Sequence, residues 1–265
     1  MTHLSVPILK AHCLKSVKHG FLTRQGGVST GPYESLNCSF RENRDQKGRD
    51  GKENVVENRK RAVEAVGLEY KNLCTLSQVH SNKVVILERV PATLPEADGV
   101  VTTSTHLVLG IQTADCVPVL FLDATHGVIG AAHAGWRGAL AGIVQNTVKA
   151  MEKCGAKAHS ISAAVGPCIN QESYEVGAEV YNAFMDQSDD NAQFFVPQES
   201  PEKFLFDLPG YVEHQLATLK IGHSERLPYC TYEQEDLFFS CRRSAHKKEK
   251  DFGVHLSLIS LESAE

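Results

Sequence analysis

The chain has 265 residues, of which 42% are hydrophobic, with 27 Lys and Arg against 32 Asp and Glu for a formal net charge of -5. That length can bury a substantial core. The negative balance provides no cationic field for nucleic acid or an anionic membrane, so small molecules are the expected partners, with no nucleic acid and no membrane. Met1 to Pro7 lead into mixed polar sequence with no apolar leader core, and no apolar run approaches membrane-spanning length, so the expected location is cytoplasmic. The eight cysteines are widely spread with no Cys-X-X-Cys pair and read mostly as reduced, buried small hydrophobes.

In chain order, the Gly- and Pro-dense Thr23 to Tyr33 reads as a loop with unusual backbone angles. Arg41 to Lys52 is almost entirely charged, polar or glycine and reads as a solvated loop. Val55, Val56, Arg59, Ala62, Val63 and Val66 recur at helical spacing, and Gly67 stands where such a helix stops. Leu107 to Ile111, Val117 to Leu122 and Val128 to Ala132 are short branched apolar runs that read as strands, the last two forming a hairpin. Leu140, Ile143, Val144, Thr147, Val148 and Met151 then follow the pattern of one helix packed on that sheet. Ile161 to Val165 reads as a strand, Val176 to Met185 and Leu208 to Leu219 as helices, and Val254 to Leu261 as a terminal strand. The mixture is an α/β protein, expected as a single domain over residues 1–265.

Three segments end on metal-competent or nucleophilic side chains: Ser77-Gln78-Val79-His80, Thr113-Ala114-Asp115-Cys116 and Ala131-Ala132-His133 with the following Ala134-Gly135-Trp136-Arg137-Gly138. If the strands bearing Cys116 and His133 are neighbours, the two meet at one sheet end, and His80 can complete a Cys/His/His set. Three protein ligands leave a tetrahedral position open, as catalytic zinc requires. The same residues also suit a cysteine nucleophile, with Cys116 attacking and His133 as base, and the sequence leaves both uses open. Gly135 and Gly138 permit a tight turn whose amides, aided by Arg137, can hold an anion; the alternative is a structural turn with Trp136 filling the core. Arg24, Arg59, Arg137, Arg242 and Arg243 lie near Gly-rich or helix-edge segments and can converge on an anionic group, though any one alone reads as a surface ion-pair residue.

Taken together, Thr23-Arg24-Gln25-Gly26-Gly27-Val28-Ser29, Glu57-Asn58-Arg59, Gln78-Val79-His80, Ala97-Asp98-Gly99, Thr113-Ala114-Asp115-Cys116-Val117-Pro118, His133-Ala134-Gly135-Trp136-Arg137-Gly138, Gly166-Pro167-Cys168-Ile169, Tyr174-Glu175-Val176-Gly177 and Phe239-Ser240-Cys241-Arg242-Arg243 resemble the YfiH family, also called the laccase-domain or multicopper polyphenol oxidase family. The resemblance runs from about Phe21 to Leu261. It implies a layered α/β/β/α sandwich with mixed sheets, and His80, Cys116 and His133 as zinc ligands, a set that also binds copper in vitro. It further implies phosphorolysis of adenosine, inosine and S-methyl-5'-thioadenosine and deamination of adenosine. For that chemistry Cys116, His133, His80 and Arg137 are the expected catalytic residues, and positive charge from Arg137, with Arg24, Arg59 and Arg242 behind it, is expected to hold substrate or phosphate. The oxidase label fits poorly, because four coppers need about ten ligands, typically with His-X-His pairs, and none of the 12 histidines forms one. Where the family closes quickly into a Gly-Arg pair after Arg242-Arg243, Ser244 to Lys250 intervene here, and Asn170-Gln171-Glu172-Ser173 is also atypical. The competing readings are a hydrolase of an amide or peptidoglycan precursor using Cys116 and His133, a polyphenol oxidase, and a metal-binding scaffold that regulates a partner.

Overall fold

The computed structural model describes residues 5–40 and 50–263. Strands β1 (Ile8–Leu9) and β2 (Val17–Leu22) come first, then helix α1 (Lys52–Ala65) and strands β3 (Leu73–Cys74), β4 (Val84–Ile86), β5 (Gly99–Thr102), β6 (Val108–Thr113), β7 (Val117–Asp123) and β8 (Val128–Ala134). Helices α2 (Trp136–Leu140) and α3 (Ile143–Lys153) lead to β9 (Ser162–Val165), β10 (Glu175–Gly177) and helix α4 (Ala178–Met185). The remainder is β11 (Phe195–Pro197), β12 (Lys203–Phe206), α5 (Leu208–Thr218), β13 (His223–Arg226), α6 (Cys241–His246) and β14 (His255–Ser263).

The strands form a five-stranded sheet, ordered β1-β2-β14-β6-β3, a six-stranded sheet, ordered β13-β9-β7-β8-β5-β4, and a small sheet, ordered β10-β12-β11. Side-chain alternation along the strands shows how the two larger sheets are layered. In β7, Val117, Val119 and Phe121 join one core, which includes Ile143, Val144 and Met151 of α3 and Leu208, Val212 and Leu216 of α5. Leu120 and Leu122 of the same strand point the other way, into a core shared with Leu109 and Ile111 of β6, Phe21 of β2 and Ile259 of β14. A third core lies beyond the five-stranded sheet, where Leu22, Val108, Leu256 and Leu258 meet Ala62 and Val63 of α1. The order is helix, sheet, sheet, helix, so the expected α/β/β/α sandwich with mixed sheets is the architecture found. Strands buried on both faces explain why β7 and β8 read as continuous apolar runs.

Several expectations need correction. The single helix expected through Leu140 to Met151 is two, because Gly142 at φ 89° breaks it between α2 and α3. The helix expected from Val176 begins at Ala178; the residues before it pair with β12 as strand β10. The periodicity seen there belongs to a strand edge followed by a shorter helix. Of the polar stretch expected as a loop, residues 41–49 lie outside the described residues and Lys52 opens α1. The eight cysteines are free, but only Cys38, Cys74, Cys168 and Cys230 are buried.

For the site, two topological facts matter. Strands β7 and β8 are antiparallel with Pro118 opposite His133 and Val117 opposite Ala134, so Cys116, one residue before β7, falls at the same sheet end as His133. Strand β6 pairs instead with β14 and β3, so residues 114–116 carry the chain from one sheet to the other, and Cys116 sits at that crossing.

Candidate metal centre and active site

His80, Cys116 and His133 each offer one ligand atom, all within 4.8 Å of one another. Cys116 Sγ lies 3.8 Å from His80 Nε2, and the two imidazole rings meet edge to face at 4.8 Å between centroids. Among the described residues this is the one group of three or more such ligands.

The cluster hangs on Asp98, which is fully buried at the start of β5. One carboxylate oxygen accepts from His133 Nδ1 at 2.8 Å and from the His80 amide at 2.9 Å. The other accepts from the Val79 amide, the Ser81 amide and the Ser81 hydroxyl. Asp98 therefore fixes both histidines at once, one by its ring and one by its backbone. By holding the Nδ1 proton of His133 it leaves Nε2 as the lone-pair donor, the outer-shell arrangement that orients metal-binding histidines.

The backbone at the cluster is unusual. His80 has φ 62° and Asp115 φ 88°, left-handed values that non-glycine residues rarely adopt. Amide bonds to Asp98 hold the first; the Asp115 carboxylate, which accepts from Thr231 Oγ1 at 2.8 Å and from the Arg242 amide at 2.7 Å, holds the second. Gly135 is required for a different reason. A Cβ there would lie 2.6 Å from His80 Cδ2 and 3.1 Å from Cys116 Sγ, so a side chain would push into the ligand set.

Electrostatics follow from this packing. Burial alone raises the Cys116 thiol and lowers the His133 imidazolium. Their mutual attraction, with hydrogen bonds from the histidines to Cys116 and from His133 to Asp98, outweighs burial, bringing Cys116 down to about 6 and His133 up to about 9. Asp98 is itself opposed by burial but held at about 2 by the bonds from His133 and Ser81. The donor set of one thiolate and two imidazoles on a carboxylate clamp suits a borderline-soft divalent metal.

The arginines separate. Arg137 is exposed, its guanidinium stacked over Trp136 at 4.2 Å from the ring centroid, and Trp136 is half-buried against the core under β7 and β8. Arg242 stacks over Tyr174 at 5.2 Å and donates to the Glu175 carbonyl. Tyr174 is near enough that the Cys116 charge, after burial, raises its hydroxyl. Arg59 is buried, donating to the Cys38 carbonyl at 2.7 Å and to Gln112 Oε1 at 3.2 Å; the Gln112 backbone in turn accepts from and donates to the side-chain amide of Gln78, two residues before His80. Arg24 is bound to the carbonyls of Glu34 and Glu235 and lies over Phe239 at 4.6 Å. Arg137 and Arg242 thus belong to segments bordering the cluster, Arg59 braces the His80 loop from behind, and Arg24 lines a cavity on the other side of Ser240.

Residue pattern alone assigns no chemical role to Asp98, Asp115 or Tyr174. The available signal was an acid wedged between Ala97 and the apolar Gly99-Val100-Val101, where an uncompensated charge is costly.

A four-layer sandwich with a His/Cys/His cluster at one sheet end defines an α/β protein with a site that could hold a metal ion. The chain belongs to the family described as multi-copper polyphenol oxidoreductase laccase, which it matches over residues 18–262. It is similar to a purine nucleoside phosphorylase of Rickettsia conorii, 38% identical over 195 residues, covering 74% of this chain and 80% of that protein. It is also similar to the purine nucleoside phosphorylase YfiH of Escherichia coli K12, 35% identical over 221 residues, covering 83% and 86%. Among solved structures, a Neisseria meningitidis protein of the DUF152 family aligns with a TM-score of 0.85 at 33% identity, covering 98% of this chain and 100% of that one. YlmD of Geobacillus stearothermophilus aligns with a TM-score of 0.85 at 27% identity over 95% and 94%.

Proposed function

We propose that this chain is a zinc-dependent purine nucleoside enzyme. It cleaves adenosine, inosine and S-methyl-5'-thioadenosine with phosphate and deaminates adenosine to inosine. The observation that carries the reading is the His80, Cys116 and His133 cluster clamped by Asp98; the relatives named purine nucleoside phosphorylase supply the reaction class. His80 Nε2, Cys116 Sγ and His133 Nε2 would hold the metal. A zinc ion bound there supplies Lewis acidity, which brings water toward the hydroxide form near neutral pH.

The chain's own groups do the rest. Asp98 keeps His133 in the tautomer that presents Nε2. Arg137 and Arg242 place positive charge beside the cluster, where it steadies phosphate and the electron-rich purine leaving group, a positioning and electrostatic task. Tyr174, kept protonated by its surroundings, has a hydroxyl proton to donate. Arg59 supports the His80 loop, and Arg24 lines a neighbouring cavity instead of the ligand set. Laccase chemistry is disfavoured, since a single three-ligand cluster among the described residues falls short of the about ten that four coppers need.

A product assay tests this. Purified protein given adenosine should yield adenine only with phosphate and inosine without it, and Cys116→Ala and His80→Ala should lose both products. Neither product from folded, zinc-loaded wild type would sink the reading. One observation favours a second reading: Cys116, His133 and Asp98 form a thiolate, imidazolium and carboxylate series like that of a cysteine hydrolase. Iodoacetamide separates the two, because a zinc thiolate is protected until a chelator removes the metal, whereas a nucleophile is trapped at once.

A further inference from the structure

A cavity of about 420 Å³ lies between the Gly31-Pro32 turn, the Phe239-Ser240 segment and the stretch from Lys248 to Phe252. That size is in the range of small-molecule sites. Four cations line it, Arg24, Arg243, Lys248 and Lys250, against two acids, Glu235 and Glu249. Glu235 is already engaged: both its oxygens accept from Lys247 Nζ at 2.6 Å, and one of them lies 3.9 Å from Arg243 Nε. Arg243 is buried and donates to the carbonyls of Thr231, Tyr232 and Phe238, so it is a fixed charge in the cavity wall. Arg24 is fixed from the other side by its two carbonyl bonds and by Phe239. Burial and the neighbouring Arg243 both disfavour its charge. Glu235, Glu34 and Glu249 offset part of this, yet the cavity wall still carries four cations against two acids, a balance that favours an anionic occupant. Lys248, at φ 56°, and Lys250 are exposed residues of the segment that closes this side.

We propose that this cavity is a phosphate-recognition subsite for a small molecule, separate from the His80, Cys116 and His133 cluster and built by Arg24, Arg243, Lys248 and Lys250. The guanidinium groups, anchored on backbone carbonyls, provide fixed positive charge in the wall, and the two lysines provide charge on exposed side chains at its rim. The subsite is tied to the metal centre through shared elements. Ser240 in its wall accepts from the Arg243 amide at 3.1 Å and also bonds Asp115, the residue before Cys116. The Phe239 amide bonds His255, whose other ring nitrogen bonds the Thr113 carbonyl. Beyond the nucleoside reading, which needs one phosphate beside the metal cluster, this adds a second anion position, formed in part by the intervening segment after Arg243.

The experiment is calorimetric titration of the whole zinc-loaded protein with inorganic phosphate, ribose 5-phosphate and adenosine 5'-monophosphate in separate arms, with sulfate at equal ionic strength as the control. The comparison is wild type against the doubly substituted Lys248→Glu, Lys250→Glu protein, its melting temperature checked alongside. At least one phosphate compound should bind wild type more tightly than sulfate does, and the double variant should weaken that binding at least about tenfold with its melting temperature unchanged. The arm with the tightest binding identifies the source of the phosphate. No binding in any arm, binding no better than sulfate, or equal affinity in both proteins overturns the proposal. Because binding is read without turnover, such a result leaves the nucleoside reading to its own product assay.

Discussion

His133 and His255 are equally buried, at 4% and 5% exposure, and both stand near the sheet ends around the site, yet they are built for opposite ends. His133 gives one nitrogen to the Asp98 carboxylate and keeps the other for Cys116, so it favours a proton or a metal. His255 spends both nitrogens on backbone: Nε2 accepts from the Phe239 amide at 2.8 Å and Nδ1 bonds the Thr113 carbonyl at 3.0 Å. A proton on Nε2 would face an N-H group, and burial drives the ring down to about 3. His19 repeats the pattern, accepting from the Ala11 amide and bonding the Val17 carbonyl, and burial lowers it as well. Burial alone therefore does not tell a ligand from a strut. The charge of the partner does, because a carboxylate stabilises the imidazolium or a bound cation, and a backbone amide excludes both.

The contrast can be broken at either histidine. The largest effect is expected at the cluster: Cys116→Ser should reduce nucleoside turnover by about a thousandfold or more while leaving the metal-free melting temperature close to wild type. A parallel loss of folding would instead make Cys116 structural. At the strut, acid should act on stability. The folded pKa of His255 lies below the unfolded value of about 6.5, so its contribution is complete above pH ~6.5 and is lost as pH falls toward about 3, by on the order of 5 kcal/mol. Urea unfolding at pH 7, 5 and 4 checks this, and His255→Gln, neutral throughout, should flatten the slope. A slope identical in that variant would assign the acid sensitivity elsewhere.

Asp98→Asn keeps the size but removes the charge that distinguishes His133 from His255. Metal affinity should fall about 10- to 100-fold by competition with a chromophoric chelator. Unchanged affinity would mean that the clamp orients nothing. The smallest effect is expected from Arg137→Ala: a rise of roughly tenfold in the phosphate KM of phosphorolysis, with the nucleoside KM little altered, since one charge-assisted contact is lost. If neither constant moves, Arg137 merely covers Trp136.

Much of this arrangement was legible from residue pattern. The apolar runs around Val117 to Leu122 and Val128 to Ala132 became β7 and β8, and their hairpin pairing brought Cys116 and His133 together as expected. The small aromatic sheet was not legible, because Phe195, Phe204 and Phe206 stack across strands too short to show alternation. Nor were β10 and the break at Gly142, where a pairing partner or one left-handed residue overrides periodicity.

By itself the sequence determined the periodicity of the main helices and strands and the side chains able to bind a metal, because these depend on local spacing and donor chemistry. Only the tertiary structure decided that Asp98, 35 positions before His133, would hold both histidines, that Arg59 would turn inward while Arg137 stayed exposed, and that Arg24 and Arg243 would line one cavity. Those outcomes arise from long-range packing of two sheets, which sets the dielectric and the charged neighbours of each group. Such surroundings, rather than residue type, separate a ligand from a strut.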